Sequence, residues 1–198
     1  MMGAAGAWAG VLIAAITATA VLLARDWRWQ LGLMALQYLG AAMLVYVHWP
    51  LGMAAALLVT GWMSIAALAM TFTGLSSPPD REQNSWPQGG AFRLFMAGMV
   101  IVLSAGVAGQ GPQSAAGIEA PVLAGAILLA GIGALQLGSS SQTGRMILGL
   151  LTVLSGFEVY YAAVEGSILV AGLLSVVILG LGLIGAHLMS AATTEDSA

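Results

Sequence analysis

No charged residue interrupts the chain from its start to Arg25, between Arg28 and Asp80, between Arg93 and Glu119, between Glu119 and Arg145, or between Glu165 and Glu195. A helix needs about 20 consecutive apolar residues to cross the hydrocarbon core of a bilayer. Apolar runs of that length, repeated along a chain, leave no polar surface with which to cover a water-facing globule. The composition agrees: 60% of the 198 residues are hydrophobic and 7% are charged, against about 25% charged in a soluble domain. The 27 glycines and abundant alanine suit membrane helices, which approach closely where side chains are small. The expected fold is an all-α polytopic bundle of about seven helices, near 3–24, 30–48, 50–74, 92–109, 120–138, 146–164 and 167–190.

The whole chain, 1–198, reads as a single membrane domain. Residues 1–75 hold helices 1 to 3, 76–119 a connector with helix 4, 120–191 helices 5 to 7, and 192–198 a polar tail. Ser76–Gly90 and Gly109–Glu119 are loops by their proline and glycine content. The first apolar run lacks a positive n-region, and its first charges, Arg25 and Asp26, follow it. It is therefore expected to be a retained helix rather than a signal peptide.

The arginines orient the bundle. Arg25 and Arg28 follow helix 1, Arg81 and Arg93 bracket the approach to helix 4, and Arg145 precedes helix 6, so seven helices put all five on one side. By the positive-inside tendency that side is cytoplasmic, with the N-terminus outside and the C-terminus inside. Trp27, Trp29 and Trp49 fall at helix ends, where an aromatic belt would lie. Helices 1–3 and 5–7 could be a parallel repeat joined by helix 4. Aligning Arg28 with Arg145 also aligns Leu31, Gly32 and Leu33 with Leu148, Gly149 and Leu150. Each copy then ends its middle helix in a tight outer turn, His48–Trp49–Pro50 or Glu165–Gly166.

Several chemistries are excluded. The chain has no cysteine, so it makes no disulfide, thiolate metal site or iron–sulfur ligation. No lysine and scattered arginines leave no basic patch for nucleic acid. The two histidines, His48 and His187, fall at helix ends, and His187 reads as interfacial. No catalytic triad, paired catalytic carboxylates or phosphate loop is present, and no cofactor or metal is expected. Gly180, Gly182 and Gly185 spell G-x-G-x-x-G, but in the middle of an apolar helix, where glycines give a packing face and not a dinucleotide site.

Glu158 is the informative residue. It lies about 20 Å along its helix axis from Arg145, inside a hydrocarbon core about 30 Å thick. A charged carboxylate there is costly, by about 2.5–3.5 kcal/mol on insertion scales, and no basic partner lies nearby in sequence. Helical spacing puts Ser155, Tyr161 and Glu165 on its face, a polar stripe from mid-membrane to the outer surface. The functional expectation is a proton relay through Glu158 with Ser155, Tyr161, Glu165 and, on helix 2, Gln37. The competing reading is a neutral glutamic acid that fixes helix packing. Glu165 alone reads first as a solvated interfacial charge. Gln37, Tyr38, Thr60, Thr71 and Thr73 read as inter-helix hydrogen-bonding groups.

The stretch GRMILGLLTVLSGFEVYYAAVEGSILVAGLLSVVILGLGLIGAHL resembles the small NuoK-type membrane subunit of respiratory complex I, which is related to a small membrane subunit of Mrp antiporters. Arg145, Gly156–Phe157–Glu158 and the acidic-Gly turn Glu165–Gly166 carry the likeness. The whole chain, with helices ahead of this unit, looks more like the longer HyfE-type subunit of group 4 hydrogenases of the formate hydrogenlyase type. There RDWRWQLGLMALQYLG and the helix opening at Trp49–Pro50 match the second and third helices. In the complex I family a second membrane glutamate lies in the last helix, where this chain has Gly180. The resemblance implies a membrane-arm subunit without redox centres of its own. Such a subunit sits among antiporter-like partners in a bacterial cytoplasmic membrane and couples redox or cation exchange to proton movement through Glu158. A purely structural subunit and a stand-alone small transporter are the alternatives. The latter has little intramembrane polarity and no Gly/Pro-interrupted helix pair to support it.

Overall fold

The computed structural model describes residues 4–74, 89–109, 118–139 and 142–195. Most of the Ser76–Gly90 loop with Arg81, most of the Gly109–Glu119 loop, and the end of the acidic tail lie outside the described residues.

The described residues form seven helices: α1 (Ala4–Leu23), α2 (Trp27–Val45), α3 (Leu51–Gly74), α4 (Gly90–Ala108), α5 (Ala120–Ser139), α6 (Thr143–Val164) and α7 (Ile168–Glu195). Their boundaries follow local chemistry. Pro50 cannot continue a helix from the preceding turn. It opens α3 instead, its carbonyl accepting from the amides of Met53 and Ala54. Pro121 sits in the first turn of α5, where backbone N–H groups lack helical partners in any case. α7 runs five residues beyond its expected end at 190, because nothing in HLMSAATTE breaks a helix.

Six of the seven helices are long and apolar enough to cross a membrane. The seventh, α2, carries Arg28, Gln30, Gln37 and Tyr38. Its polarity is covered by protein, since Gln30, Gln37 and Tyr38 are buried. α1, α2 and α3 form one row and α5, α6 and α7 a second. The rows stack so that α1 meets α5, α2 meets α6 and α3 meets α7, while α4 packs on α5 and the edge of α1. The two halves proposed as a repeat therefore lie on one another, mate against mate. Leu31 and Leu148 are equivalently buried. Gly32 looks onto open space, however, whereas Gly149 packs against Gln136 and Leu137.

The packing is that of helices in lipid. A Cβ on Gly133 would come 2.6 Å from the Val153 nitrogen, and one on Gly156 2.7 Å from the Ala130 nitrogen, so α5 and α6 meet backbone to backbone. In α7, Gly182 lies against Ser64 of α3 and Gly185 against Ile147 of α6. The G-x-G-x-x-G run is thus a packing face at two of its three glycines. The outward surface is apolar: Leu169, Ile168 and Val176 of α7, Met70 of α3, and Phe95 and Val102 of α4 are all largely exposed. Faces of this extent are untenable in water and ordinary against acyl chains. This chain is a multi-pass membrane protein.

Hydrogen bonds fix the two ends of the bundle. Arg145 Nη2 and Gln30 Nε2 both donate to the Ala24 carbonyl in the α1–α2 turn, at 2.8 and 2.7 Å. Arg93, at the start of α4, donates to the Ser139 carbonyl at the end of α5. Arg25, Arg28, Arg93 and Arg145 therefore share one end, as the topology requires. At the far end, Trp49 Nε1 donates to the Glu165 carbonyl at 3.0 Å, joining the α2–α3 turn to the α6–α7 turn. Trp29 is exposed in the manner of a belt residue, but Trp49 is buried. Its indole N–H is used to tie two turns together and not to face headgroups.

Candidate functional site

α2 and α6 are the middle helices of their rows, and polar side chains face one another between them. On α6, Thr152, Ser155 and Glu158 recur every three residues and stay on one face. All three are buried, Glu158 at 2% exposure. On α2, Gln30, Met34, Gln37 and Tyr38 repeat at helical spacing and are also buried. No other acidic side chain among the described residues is buried.

The two helices are linked by Gln37 Nε2, which donates to Thr152 Oγ1 at 3.3 Å. Thr152 Oγ1 in turn donates to the Leu148 carbonyl at 2.8 Å and lies 3.6 Å from Met34 Sδ. Ser155 Oγ donates to the Thr152 carbonyl at 2.9 Å, which leaves its lone pairs free to accept from above, where Glu158 stands one turn further on. Three buried atoms of this cluster have no hydrogen-bond partner among the described residues: Gln37 Oε1, the Tyr38 hydroxyl and Glu158 Oε2. The Tyr38 hydroxyl is within electrostatic reach of Glu158. Tyr38 is seated by Gly61 of α3, where any Cβ would collide with its ring.

The stripe expected on α6 splits as it nears the far end. Ser155 and Glu158 point inward. Tyr161 is half-buried, with its ring 6.3 Å from Phe157 and 6.2 Å, edge-on, from Trp49. Its phenol lies near Glu165. Glu165 follows the helix in an extended conformation (φ −140°, ψ 141°) and is exposed. The five residues singled out from the sequence thus divide into a sealed group, Gln37, Ser155 and Glu158, and a surface group, Tyr161 and Glu165. No hydrogen bond among the described residues joins the two groups.

Thr60, Thr71 and Thr73 do not bond between helices. Each donates to a carbonyl three or four residues back in α3, the local bond a hydroxyl makes in a helix without any neighbour. Inter-helix bonds from α3 come instead from Ser64, whose hydroxyl reaches the Ile178 carbonyl of α7 at 3.1 Å, and from Trp62, whose Nε1 donates to the Ala35 carbonyl of α2 at 3.0 Å. Sequence reasoning also passed over Thr152, which accepts a hydrogen bond from Gln37 of α2. The signal was its place three residues before Ser155 and six before Glu158. His48 and His187 are exposed. A Cβ added at Gly180 would meet nothing within 4 Å.

A carboxyl, a phenol, a carboxamide and two hydroxyls are held in the interior within a few turns of one another. They offer no nucleophile, no metal cage and no oxyanion cradle. No family model, curated protein or solved structure matches the chain, and what the site can do follows from its own residues.

Proposed function

We propose that this chain is a membrane-arm subunit of a complex I-like or group 4 hydrogenase-like assembly in a bacterial cytoplasmic membrane. In this reading Glu158 passes protons along a membrane-embedded row of polar groups, while redox centres and antiporter-like subunits belong to neighbouring chains. The observation that supports it is the incomplete hydrogen bonding around Glu158. Glu158 Oε2, the Tyr38 hydroxyl and Gln37 Oε1 are buried without partners among the described residues. Each such group costs about 1–3 kcal/mol relative to a satisfied one. A cluster kept only for packing would be cheaper as leucine and alanine. Groups that must gain and lose protons require this slack. The exposed apolar faces of α4 and α7 suit lipid and large membrane neighbours alike.

A second reading is favoured by a different observation. Thr152 and Ser155 already donate to main-chain carbonyls of their own helix, an arrangement complete without any proton traffic. The chain would then be a structural subunit, with Glu158 a neutral packing residue.

Purification from the native membrane in mild detergent, with mass spectrometry of what accompanies the chain, tests the assembly. Large antiporter-like subunits together with hydrogenase-like or complex I-like subunits are the expected companions. Recovery of the chain alone, as a monomer or homo-oligomer, would overturn the assembly and favour a stand-alone transporter.

A further inference from the structure

At the arginine end, a cavity of about 10 Å³ lies between α1, α2, α5 and α6, lined by Leu22, Gln30, Gln136, Ser139, Arg145 and Leu148. Neither the cluster around Glu158 nor the arginine contacts account for it. Its volume is about the space one water molecule requires, and a buried water also needs two to four polar partners. The cavity supplies them. Gln136 is 5% exposed, and its Nε2, a donor, has no acceptor among the described residues. The Gln30 carboxamide, the Ser139 hydroxyl and the Arg145 guanidinium complete the lining.

The position gives the cavity a role. Leu148 lines it, and the Leu148 carbonyl accepts the Thr152 hydroxyl. Thr152 is bonded to Gln37, and Ser155 to the Thr152 carbonyl. The cavity is therefore about one helical turn, roughly 5 Å, below the first polar pair of the row that leads to Glu158. The Arg145 charge beside it disfavours a metal cation at the same point, and the volume admits nothing larger than one water.

We propose that this cavity binds one exchangeable water, held by Gln136, and that this water is the arginine-side end of the polar row to Glu158. The role as an end of the row rests on the proton-relay reading. The water site itself does not.

Radiolytic hydroxyl-radical footprinting of the intact protein in its native membrane complex tests it, because radicals form from water next to the side chain they label. Leu148 at 2% exposure and Leu129 at 0% are both buried, and only Leu148 borders the cavity. The expected result is labelling of Leu148 several-fold faster than Leu129 in the wild type, falling to the Leu129 rate in Gln136→Leu. Equal labelling of the two leucines in the wild type would overturn the water site, and needs no variant to fold. Labelling of Leu148 that survives Gln136→Leu would overturn the part given to Gln136.

Proton movement separates this proposal from the reading it rests on. Gln136→Leu should slow it and Glu158→Gln abolish it. Gln136-dependent labelling with full proton movement in Glu158→Gln would leave a structural water and overturn its role as an end of the row.

Discussion

α6 and α7 follow one another in the chain, and both read as long apolar helices, yet they do opposite work. α6 turns Thr152, Ser155 and Glu158 into the bundle and meets α5 through Gly149 and Gly156. α7 carries no charged residue before its last turn, packs mainly on α3 and leaves Leu169, Leu173, Val176, Leu183 and Leu188 on the surface. In water, an apolar face marks what lies inside. In a bilayer, apolar surface is at home on either side, and polar groups mark the interior. The same contrast separates α2, the least apolar helix and a central one, from α4 at the edge.

The contrast can be broken by truncating leucines on either side of it. Leu129→Ala in α5, where Leu129 is fully buried, should cost about 2–5 kcal/mol through the cavity it leaves. Leu173→Ala on the outer face of α7 should fall within about 0.5 kcal/mol of wild type. Unfolding in detergent micelles measures both, and similar losses at the two sites would put α7 inside a core it is not assigned to. Glycines sharpen the comparison. Gly156→Leu forces a side chain into the α5 backbone, where a Cβ would already stand 2.9 Å from the Ala126 carbonyl oxygen, and should cost about 1–3 kcal/mol. Gly172→Leu in α7, where an added Cβ meets nothing within 4 Å, should be close to neutral in the same assay. A small effect is also expected from Gln37→Leu. It loses the bond to Thr152 but also removes an unpartnered oxygen, and inter-helix bonds in membranes average about 0.6 kcal/mol. A larger loss of stability would make Gln37 a structural strut.

The number of helices, their order and the shared end of the arginines were legible in the sequence, because a spanning helix has a fixed length and charges cannot sit between its ends. Glu158 was legible for the same reason. What it faces was not. Row-on-row stacking depends on where small residues let backbones touch, as at Gly133 and Gly156, and glycines recur on every helix of this chain. Thr152 was hidden because threonine in a helix is most often satisfied by its own helix, as Thr60 and Thr71 are. The stripe from Ser155 to Glu165 was drawn as one face. The helix ends at Val164, and the extended Glu165 backbone takes its side chain off that face. Trp49 looked like a belt residue because its distance from a helix end is visible in sequence and its partner, Glu165, is not.

The central claim is that Glu158 moves protons rather than packs two helices. Proton movement driven by the native assembly in sealed membrane vesicles, compared among wild type, Glu158→Gln and Glu158→Asp, tests it most directly. Gln keeps the shape and hydrogen bonding of a neutral glutamic acid but cannot release a proton. The account predicts that Glu158→Gln assembles normally and loses proton movement on the order of 100-fold, the scale of a lost acid–base group, while Glu158→Asp keeps part of it. Full proton movement in an assembled Glu158→Gln protein would contradict the claim and leave Glu158 a packing residue.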